Sequence, residues 1–379
     1  METEHTIYDC AVIGGGLAGL CTAIQLARRG KEVILFEKNM YPFHKVCGEY
    51  VSMESWDFLI SLGVPLNDWS LPRIQSLRIS SPSGFTLDHR LRLGGFGLSR
   101  FKLDAYLYQL AIENGVKVIQ QCKVNDVTDT GANFLVKSSQ GVVAARVVCG
   151  AYGKYIPSFV QTWDDHSEKI IDQDNYIAVK YHLRTDVPAD RIELHNFKGG
   201  YCGVSQVEDG IFCLCYLTKA KNLKANQNNI AQMEATILDE NPYLSKLFSN
   251  SDFLYEQPLV VSNIKFHKRQ AAVGALFQAG DAAGTISPLC GNGMSMAMRS
   301  SKILVAHLLS SLDGPHSLRQ SKEAYQAEWN RIFGSRIQTG IWLQRLFGKP
   351  LLTEIAVRSL SLMPSLVSKL VRKTHGLPF

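Results

Sequence analysis

The chain has 379 residues, of which 46% are hydrophobic and 20% are charged. These fractions are typical of a globular protein with a large core and two domains or subdomains, and they exclude a disordered or low-complexity chain. The formal net charge is +6. Because this excess is small and no basic block is interleaved with aromatic residues, nucleic acid is not expected as a partner.

The nine cysteines are scattered along the chain and include no CxxC pair. In a chain of this length, such an odd set indicates reduced thiols, so we expect a cytoplasmic protein. The polar start METEHTIYD lacks the charge pattern and apolar core of a signal peptide, and no run of about eighteen apolar residues predicts a membrane span. The sequence contains no His-Glu-x-x-His motif, and no metal site is expected.

The first fifty residues predict a strand, a helix and a second strand. Residues 8–13 are apolar and rich in β-formers, as in a strand that is buried on both faces. A helix is predicted over 17–29, and Gly30 is suited to end it. The second strand, EVILFE, ends at Glu37.

Three glycines between the first strand and the helix, Gly14, Gly16 and Gly19, form the pattern GxGxxG. The first permits a tight turn, the second lets a pyrophosphate approach the backbone, and the third lets the helix pack closely on the strand. The helix N-terminus offers free N–H groups to phosphates. Glu37 is predicted to accept hydrogen bonds from a ribose 2′-hydroxyl, and we include the adjacent Lys38 among the cofactor-binding residues. The unit predicts a site for FAD or NAD.

A second glycine-rich region lies far along the chain. AAVGALFQAGDAAGTISP predicts a short strand pair that ends at Gly280 and Asp281, and SPLCGNGMSMAMRSSK follows it. The N-terminal GxGxxG together with this distant strand–Gly–Asp resembles the FAD-dependent oxidoreductases of the p-hydroxybenzoate hydroxylase fold. Within that group the chain is most similar to the geranylgeranyl reductase-like branch.

The resemblance implies that Asp281 binds the ribityl hydroxyls of FAD and that residues 288–294 line the isoalloxazine ring. A helix that starts near Asn292 would direct its free N–H groups and positive dipole end at a reduced, anionic flavin. The alternative is a plain helix N-terminus preceded by glycines that permit a turn. The predicted cofactor-binding residues of this region are Gly280, Asp281, Pro288, Gly291, Asn292, Gly293 and Met294.

Two further segments match the family in part. GLSRFKLDAYLYQLA carries Arg100 and Asp104 at the family's helix start, which would place Arg100 along the FAD; the alternative is a surface arginine paired with Asp104. In VVCGAYGKYIP, Tyr152 replaces the family's aspartate. Since no second GxGxxG exists, the electron donor is expected to bind transiently, as NAD(P)H or as a reduced electron-carrier protein.

The segment PFHKVCGEYVS matches the family's Pro-x-x-Lys-x-Cys-Gly at Pro42, Lys45, Cys47 and Gly48. The resemblance places this loop over the flavin ring, with the cysteine close to the reacting edge. Cys47 is therefore the candidate catalytic residue, as a proton donor, and Glu49 is a weaker candidate acid. The alternative is that Cys47 is a small apolar residue in a tight turn.

The remaining segments predict a sheet and a set of helices. Alternating runs such as IQSLRISS, YIAVKYHL and IFCLCYL predict an antiparallel sheet that forms the substrate wall. At the C-terminus, SLVSKLVRK places an apolar stripe beside basic residues. Two interpretations stay open for it: an ordinary packed helix with a solvated face, or a basic amphipathic end that rests on a membrane or covers an apolar substrate tunnel.

We predict an α/β fold with a Rossmann-like, GR2-type FAD-binding domain, an inserted antiparallel-sheet substrate domain and a helical C-terminal region. The predicted ranges are 1–73, 96–165 and 265–315 for the FAD-binding domain, 74–95 and 166–264 for the substrate domain, and 316–379 for the C-terminal region.

The expected function is FAD-dependent reduction of carbon–carbon double bonds in an apolar or isoprenoid-like substrate, by hydride transfer from flavin N5. One alternative is an FAD-dependent monooxygenase that hydroxylates an aromatic or polyketide substrate. A second is a non-catalytic flavin-bearing protein that binds an apolar ligand. Halogenation is not expected, since none of the five tryptophans has the Trp-x-Trp-x-Ile-Pro spacing of flavin-dependent halogenases, and hydrolysis is not expected without a Gly-x-Ser-x-Gly motif.

Overall fold

The computed structural model describes residues 6–161, 175–264, 269–274 and 276–379. Its strands, in chain order, are β1 (Ile7–Ile13), β2 (Val33–Phe36), β3 (Tyr50–Ser52), β4 (Arg73–Ser80), β5 (Thr86–Gly97), β6 (Lys117–Ile119), β7 (Val124–Asp129), β8 (Phe134–Ser138), β9 (Gly141–Gly150), β10 (Tyr176–Arg184), β11 (Arg191–Phe197), β12 (Gly200–Gln206), β13 (Phe212–Lys219), β14 (Asp252–Phe253), β15 (Leu259–Ile264), β16 (Ala272–Val273) and β17 (Leu276–Gln278).

The α-helices are α1 (Leu17–Ala27), α2 (Trp56–Ser61), α3 (Arg100–Glu113), α4 (Ser158–Gln161), α5 (Ala220–Ala225), α6 (Ile230–Met233), α7 (Pro242–Asn250), α8 (Gly293–Leu312), α9 (Leu318–Leu346), α10 (Pro350–Ser361) and α11 (Pro364–Thr374). A π-helix continues α6 over Glu234–Leu238. Short 3₁₀ turns lie at Met53–Ser55, Glu208–Gly210, Gly280–Ala282 and Pro288–Cys290.

The first sheet has a parallel centre in the order β17-β9-β1-β2-β6. β16 pairs antiparallel with β17, and β8 and β7 extend antiparallel from β9. One face carries Val12 and Leu35 into a core shared with α1, α8 and α9, and the other carries Ala11 and Phe36 into a core shared with β7 and β8. Burial on both faces explains why β1 and β2 are continuously apolar, and it confirms the predicted α/β fold.

The second sheet follows the order β14-β10-β13-β12-β11-β4-β5-β3, with β15 also on β10. Its pairs are antiparallel except for β11 with β4. The outer face packs on α6 and α7 through a separate apolar core. The three residues of β3 fall within the range 1–73 predicted for the FAD-binding domain, yet they pair with β5 in this sheet.

The first helix ends two residues earlier than predicted, at Ala27. The Gly30 N–H donates to the Ala27 carbonyl at 2.9 Å and the Lys31 N–H to the Leu26 carbonyl at 3.2 Å, while Gly30 has a φ of +73°. These bonds form a Schellman ending, in which glycine readily adopts the left-handed conformation. The prediction that Gly30 ends the helix is therefore confirmed.

The C-terminal region is helical, as predicted. α8 packs on α1, α9 packs on α8, and α10 and α11 lie against β5. Within the described residues, no single helix combines the length and hydropathy needed to cross a bilayer; α10 and α11 reach that hydropathy only as a pair, which is bent by 112°.

Candidate active site

The carboxyl ends of three neighbouring parallel strands bring both glycine-rich regions together. Ile13 at the end of β1 is in register with Gly150 of β9, and Gly150 is in register with Gln278 of β17. The turn that begins at Gly14 and the turn at Gly280 therefore leave the same edge of the sheet. This edge is where open α/β sheets bind their ligands.

The turn after β1 leaves no room for side chains at two of its glycines. Gly14 has a φ of +108°, and a Cβ there would overlap the Ala151 carbonyl oxygen. A Cβ on Gly19 would overlap the Gly14 carbonyl oxygen, so α1 packs directly on the turn. Both positions require glycine, for the tight turn and for the close helix approach.

The second glycine of the motif, Gly16, faces two cations. The atoms nearest to a Cβ built on Gly16 are Arg100 Nη2 and Lys45 Nζ, each 3.9 Å away. Gly16 caps α1, and no side chain there accepts a hydrogen bond from the first turn. Free N–H groups and two positive charges therefore meet in one place, which is the chemistry that binds a pyrophosphate.

Asp104 holds both cations in position. It pairs with Arg100 through two bonds of 2.8 and 2.7 Å and with Lys45 at 3.0 Å. Burial raises the pKa of Asp104, but Arg100 and Lys45 outweigh it and keep that pKa below its usual value. Arg100 is thus both paired with Asp104 and next to Gly16, but only 14% of its side chain is exposed, so it is not the surface arginine of the alternative interpretation. Its contact with FAD stays a prediction.

The buried Glu37 carboxylate stabilises the glycine turn through hydrogen bonds. Its Oε2 accepts the Gly15 N–H at 2.9 Å, and its Oε1 accepts the Asn39 backbone N–H at 2.9 Å and Nδ2 at 2.8 Å. Tyr41 adds a hydroxyl bond to the Gly15 carbonyl. A carboxylate has room for a further donor at Oε2, so the ribose contact stays a prediction. Lys38 is exposed.

Asp281 presents an uncommitted carboxylate at the sheet edge. Its backbone oxygen accepts from Arg269 Nη1 at 3.0 Å, but its side chain receives no hydrogen bond from the residues that the structure describes. Burial raises the pKa of Asp281, and Lys154 and Arg269 oppose that shift only in part. A carboxylate in such surroundings is stabilised by any hydroxyl donor placed against it.

The start of α8 also offers unpaired polar groups. Asn292 is the N-cap, as predicted within one residue, and Gly291 before it has a φ of +61°. Asn292 Nδ2 donates to the Thr374 carbonyl at 2.7 Å, whereas the buried Oδ1 has no partner among the described residues. The side chain of Met294 is buried in the main core, so only its backbone is available to a ligand, and Pro288 is exposed.

The Cys47 loop lies between the cations and the second sheet. Cys47 Sγ accepts the Glu49 N–H at 3.4 Å, and the Cys47 carbonyl accepts the Cys213 thiol at 3.2 Å. Burial raises the pKa of the Cys47 thiol more than the nearby Arg100 lowers it. The thiol therefore keeps its proton at neutral pH, which suits a proton donor and equally suits an apolar packing residue.

A buried ionic cluster adjoins this loop. The Glu49 carboxylate binds Lys180 Nζ at 2.5 Å, His182 Nε2 at 2.6 Å and the Arg100 backbone N–H at 2.8 Å. The side chains of Glu49 and Lys180 are fully buried. Of these residues, the sequence pattern indicated only Glu49, as a weak candidate, and it did not indicate Lys180 or His182. The signal was present in YIAVKYHL, where strand alternation places Lys180 and His182 on one face of an otherwise apolar strand.

Comparison with known proteins supports an FAD enzyme. Residues 9–45 match the family FAD dependent oxidoreductase. Conditioned medium factor receptor 1 of Dictyostelium discoideum is 27% identical over 362 residues, covering 87% of this chain and 69% of the relative. Digeranylgeranylglycerophospholipid reductase 2 of Methanothermobacter thermautotrophicus is 22% identical over 356 residues, covering 89% of this chain and 87% of the relative. The flavin-dependent brominase Bmp2 shares the fold, with a TM-score of 0.77 at 18% identity over 97% of this chain and 93% of that chain.

The chain is an FAD-dependent oxidoreductase. It is therefore an enzyme, and the interpretation as a non-catalytic ligand carrier is wrong. The residues of this oxidoreductase fit FAD: the cations beside Gly16 suit the pyrophosphate, and the uncommitted Asp281 carboxylate suits the ribityl hydroxyls. The contacts assigned to single residues stay predictions.

An apolar groove opens beside the start of α8 in this oxidoreductase. It lies between the second sheet and helices α9, α10 and α11, is partly open to solvent, and has an inner volume of about 110 Å³. Residues that line it include Leu77, Leu91, Leu194, Leu343, Val367 and Val371. At one end it reaches Cys290 and Gly291, next to the helix start. Its apolar walls suit a long apolar ligand.

Proposed function

We propose that this oxidoreductase reduces carbon–carbon double bonds in an apolar, isoprenoid-like substrate. The observation that carries the proposal is the apolar groove, which is continuous with the Cys290–Gly291 segment before α8. A flexible hydrocarbon chain gains roughly 0.8 kcal/mol for each methylene that it buries in such a groove. A relative that covers most of the chain is named as a digeranylgeranylglycerophospholipid reductase, which agrees with a substrate of this class.

The chain's own residues would bind the cofactor, orient the substrate and hold a proton. When bound and reduced, FAD supplies hydride. Lys45, Arg100 and Asp281 would hold and orient the cofactor, and the apolar walls of the groove would orient the hydrocarbon. Cys47 Sγ holds a proton beside the site, for the second carbon of the double bond. We propose that electrons come from a transient donor, NAD(P)H or a reduced electron-carrier protein.

The test uses the holoenzyme reduced with dithionite under anaerobic conditions and geranylgeraniol, a C20 isoprenoid alcohol, as the probe. We expect the oxidised flavin absorbance to return and the product to be heavier by two hydrogens for each reduced bond. A product that forms only with oxygen and carries a new hydroxyl would favour the monooxygenase instead. Absence of flavin reoxidation on adding the probe would overturn the proposal for isoprenoids.

The variant Val371→Trp tests whether the probe binds in the groove. Because Val371 lines the groove, an indole there displaces the probe, and the probe's affinity is expected to fall about tenfold or more with FAD content unchanged. The control Ser365→Trp, at an exposed position of the same helix, should leave the affinity for the probe unchanged. Equal turnover by both variants would place the substrate outside the groove.

We further propose that the protein is cytoplasmic and contacts the surface of an anionic membrane through α10, α11 and the adjoining tail. Several large apolar side chains there are exposed, among them Leu351 at 80%, Ile355 at 62%, Leu362 at 84% and Leu377 at 77%. Exposed basic residues share the same helices: Lys369, Arg372 and Lys373. Apolar anchors combined with basic residues favour a surface of anionic lipid, from which an apolar substrate could reach the groove.

Vesicle co-sedimentation tests this contact. The holoenzyme should bind vesicles of phosphatidylcholine mixed with phosphatidylglycerol, and bind phosphatidylcholine alone more weakly. Leu351→Asp/Leu362→Asp is expected to lower binding about tenfold or more, whereas Val142→Asp, which alters a 39% exposed apolar residue of the first sheet, should not. Equal binding by all variants, or a stable dimer that covers the face, would contradict the proposal.

A further inference from the structure

A continuous chain of polar side chains connects the protein surface to Glu49. His44 is exposed, and its Nδ1 lies 3.2 Å from the Tyr255 hydroxyl. That hydroxyl lies 2.9 Å from His182 Nδ1, and His182 Nε2 lies 2.6 Å from Glu49 Oε2. Imidazole and phenol groups both donate and accept hydrogen bonds, so each link can pass a proton.

The inner end of this chain lies at the cofactor-binding edge. Glu49 Oε1 accepts the backbone N–H of Arg100, whose side chain faces Gly16. The Glu49 N–H donates to Cys47 Sγ, so the carboxylate and the thiol belong to one loop. Glu49 has a φ of +55°, a conformation that a non-glycine residue adopts only when its surroundings fix it.

Two simpler roles account for the arrangement less well. Glu49, His182 and Cys213 place their ligand atoms within 4.8 Å of one another, as a metal site would. However, the Lys180 ammonium already occupies this cluster as its cation, and burial raises the pKa of Cys213 so that it stays a thiol rather than a metal-binding thiolate. A structural ion pair would need only Glu49 and Lys180, and it would not require the extension through Tyr255 to the surface.

We propose that His44, Tyr255, His182 and Glu49 form a proton path between solvent and the Cys47 loop. The path rests on the proposed function in one respect: addition of a hydride and a proton to a double bond consumes one proton per turnover. Solvent protonates His44, each group donates its proton inward as it accepts another, and Glu49 receives the proton at the inner end. Glu49 then gives this proton to the group that turnover has left deprotonated, which restores the Glu49 carboxylate. Lys180 is the charged neighbour that keeps Glu49 anionic between transfers.

A pH-jump experiment without substrate tests the path. The holoenzyme is photoreduced anaerobically, the pH is changed by rapid mixing, and the absorbance of the reduced flavin reports its protonation. In Tyr255→Phe, which keeps the ring and removes the hydroxyl, we expect protonation to slow about tenfold or more. Tyr155→Phe is the matched control, because that tyrosine bonds the Ser262 carbonyl at 2.8 Å outside the path.

Chemical rescue distinguishes a path from a structural role. His44→Ala should slow protonation in the same way, and added imidazole should restore it, because the lost group was at the surface. Imidazole should not rescue Tyr255→Phe. Unchanged protonation in both variants would overturn the path. Since no substrate is present, that result would leave the proposed reductase function untouched, and a failed reduction of geranylgeraniol would leave the path untouched.

Discussion

Lys180→Met is expected to lower the free energy of unfolding by about 3–5 kcal/mol, the usual effect of removing one partner from a buried ion pair. Glu49 and Lys180 both have fully buried side chains, and the substitution would leave the carboxylate in the interior without its ammonium partner. His182 and the Arg100 N–H remain bound to it and stabilise it only in part. Urea unfolding followed by tryptophan fluorescence measures the loss.

Two comparisons make this prediction specific. Lys198→Met, at an exposed position beside the same sheet, should change stability little, and Lys180→Met/Glu49→Gln should recover part of the loss, because the buried charge is gone. Burial raises the pKa of Glu49, but His182 and Lys180 outweigh it and lower that pKa overall. The pair therefore stabilises the fold above the unfolded pKa of about 4.3. The stabilisation is lost as the pH falls through the lower folded pKa, so the difference between wild type and Lys180→Met should shrink in acid.

Asp281→Ala is expected to yield folded protein with much less bound FAD. The Asp281 carboxylate receives no hydrogen bond from the described residues, so its removal takes away no visible support of the fold. A hydrogen bond from a ligand hydroxyl to a charged group contributes about 1.5–3 kcal/mol, which corresponds to roughly a tenfold to hundredfold change in Kd. The ratio of flavin to protein absorbance after purification measures the effect, and circular dichroism reports folding.

Asp281→Asn should retain an intermediate amount of FAD, because an amide oxygen still accepts a hydrogen bond but carries no charge. Asp239→Ala is the matched control, because the Asp239 carboxylate is exposed and lies in a different segment of the chain. This variant should keep its full content of FAD. If Asp281→Ala kept its full flavin content, the ribityl assignment of this residue would be wrong.

Local sequence patterns predicted the part of the site that depends on local geometry. GxGxxG, the stop at Gly30 and the helix start at Asn292 each follow from backbone conformations that few residues tolerate. Glu37 was located correctly at the end of β2, but its hydrogen bonds to Gly15 and Asn39 were not foreseen. The spacing of the motif predicts where the Glu37 carboxylate lies, but it does not predict how many hydrogen-bond donors of the protein already surround that carboxylate.

Long-range pairings leave no local pattern in the sequence. Glu49 meets Lys180 and His182 across more than a hundred residues of sequence, and no periodicity relates a loop to a distant strand. The parallel pairing of β11 with β4, in a sheet predicted to be antiparallel, has the same origin. The direction of this pairing depends on where the chain between β5 and β11 returns to the sheet. The turns of the neighbouring hairpins do not determine that position.

Tyr50 touches three parts of the molecule at once. Tyr50 is the first residue of β3, directly after the Cys47 loop, and its side chain lines the groove. It also lies beside Gly291: a Cβ added to Gly291 would be 3.1 Å from Tyr50 Cδ1. If the proposed hydrocarbon substrate binds in the groove, it would contact this ring, which also borders the start of α8. We therefore expect the two sites to be coupled through Tyr50. Thermodynamic reciprocity requires that any factor by which bound FAD changes the affinity for the apolar ligand equals the factor by which the ligand changes the affinity for FAD.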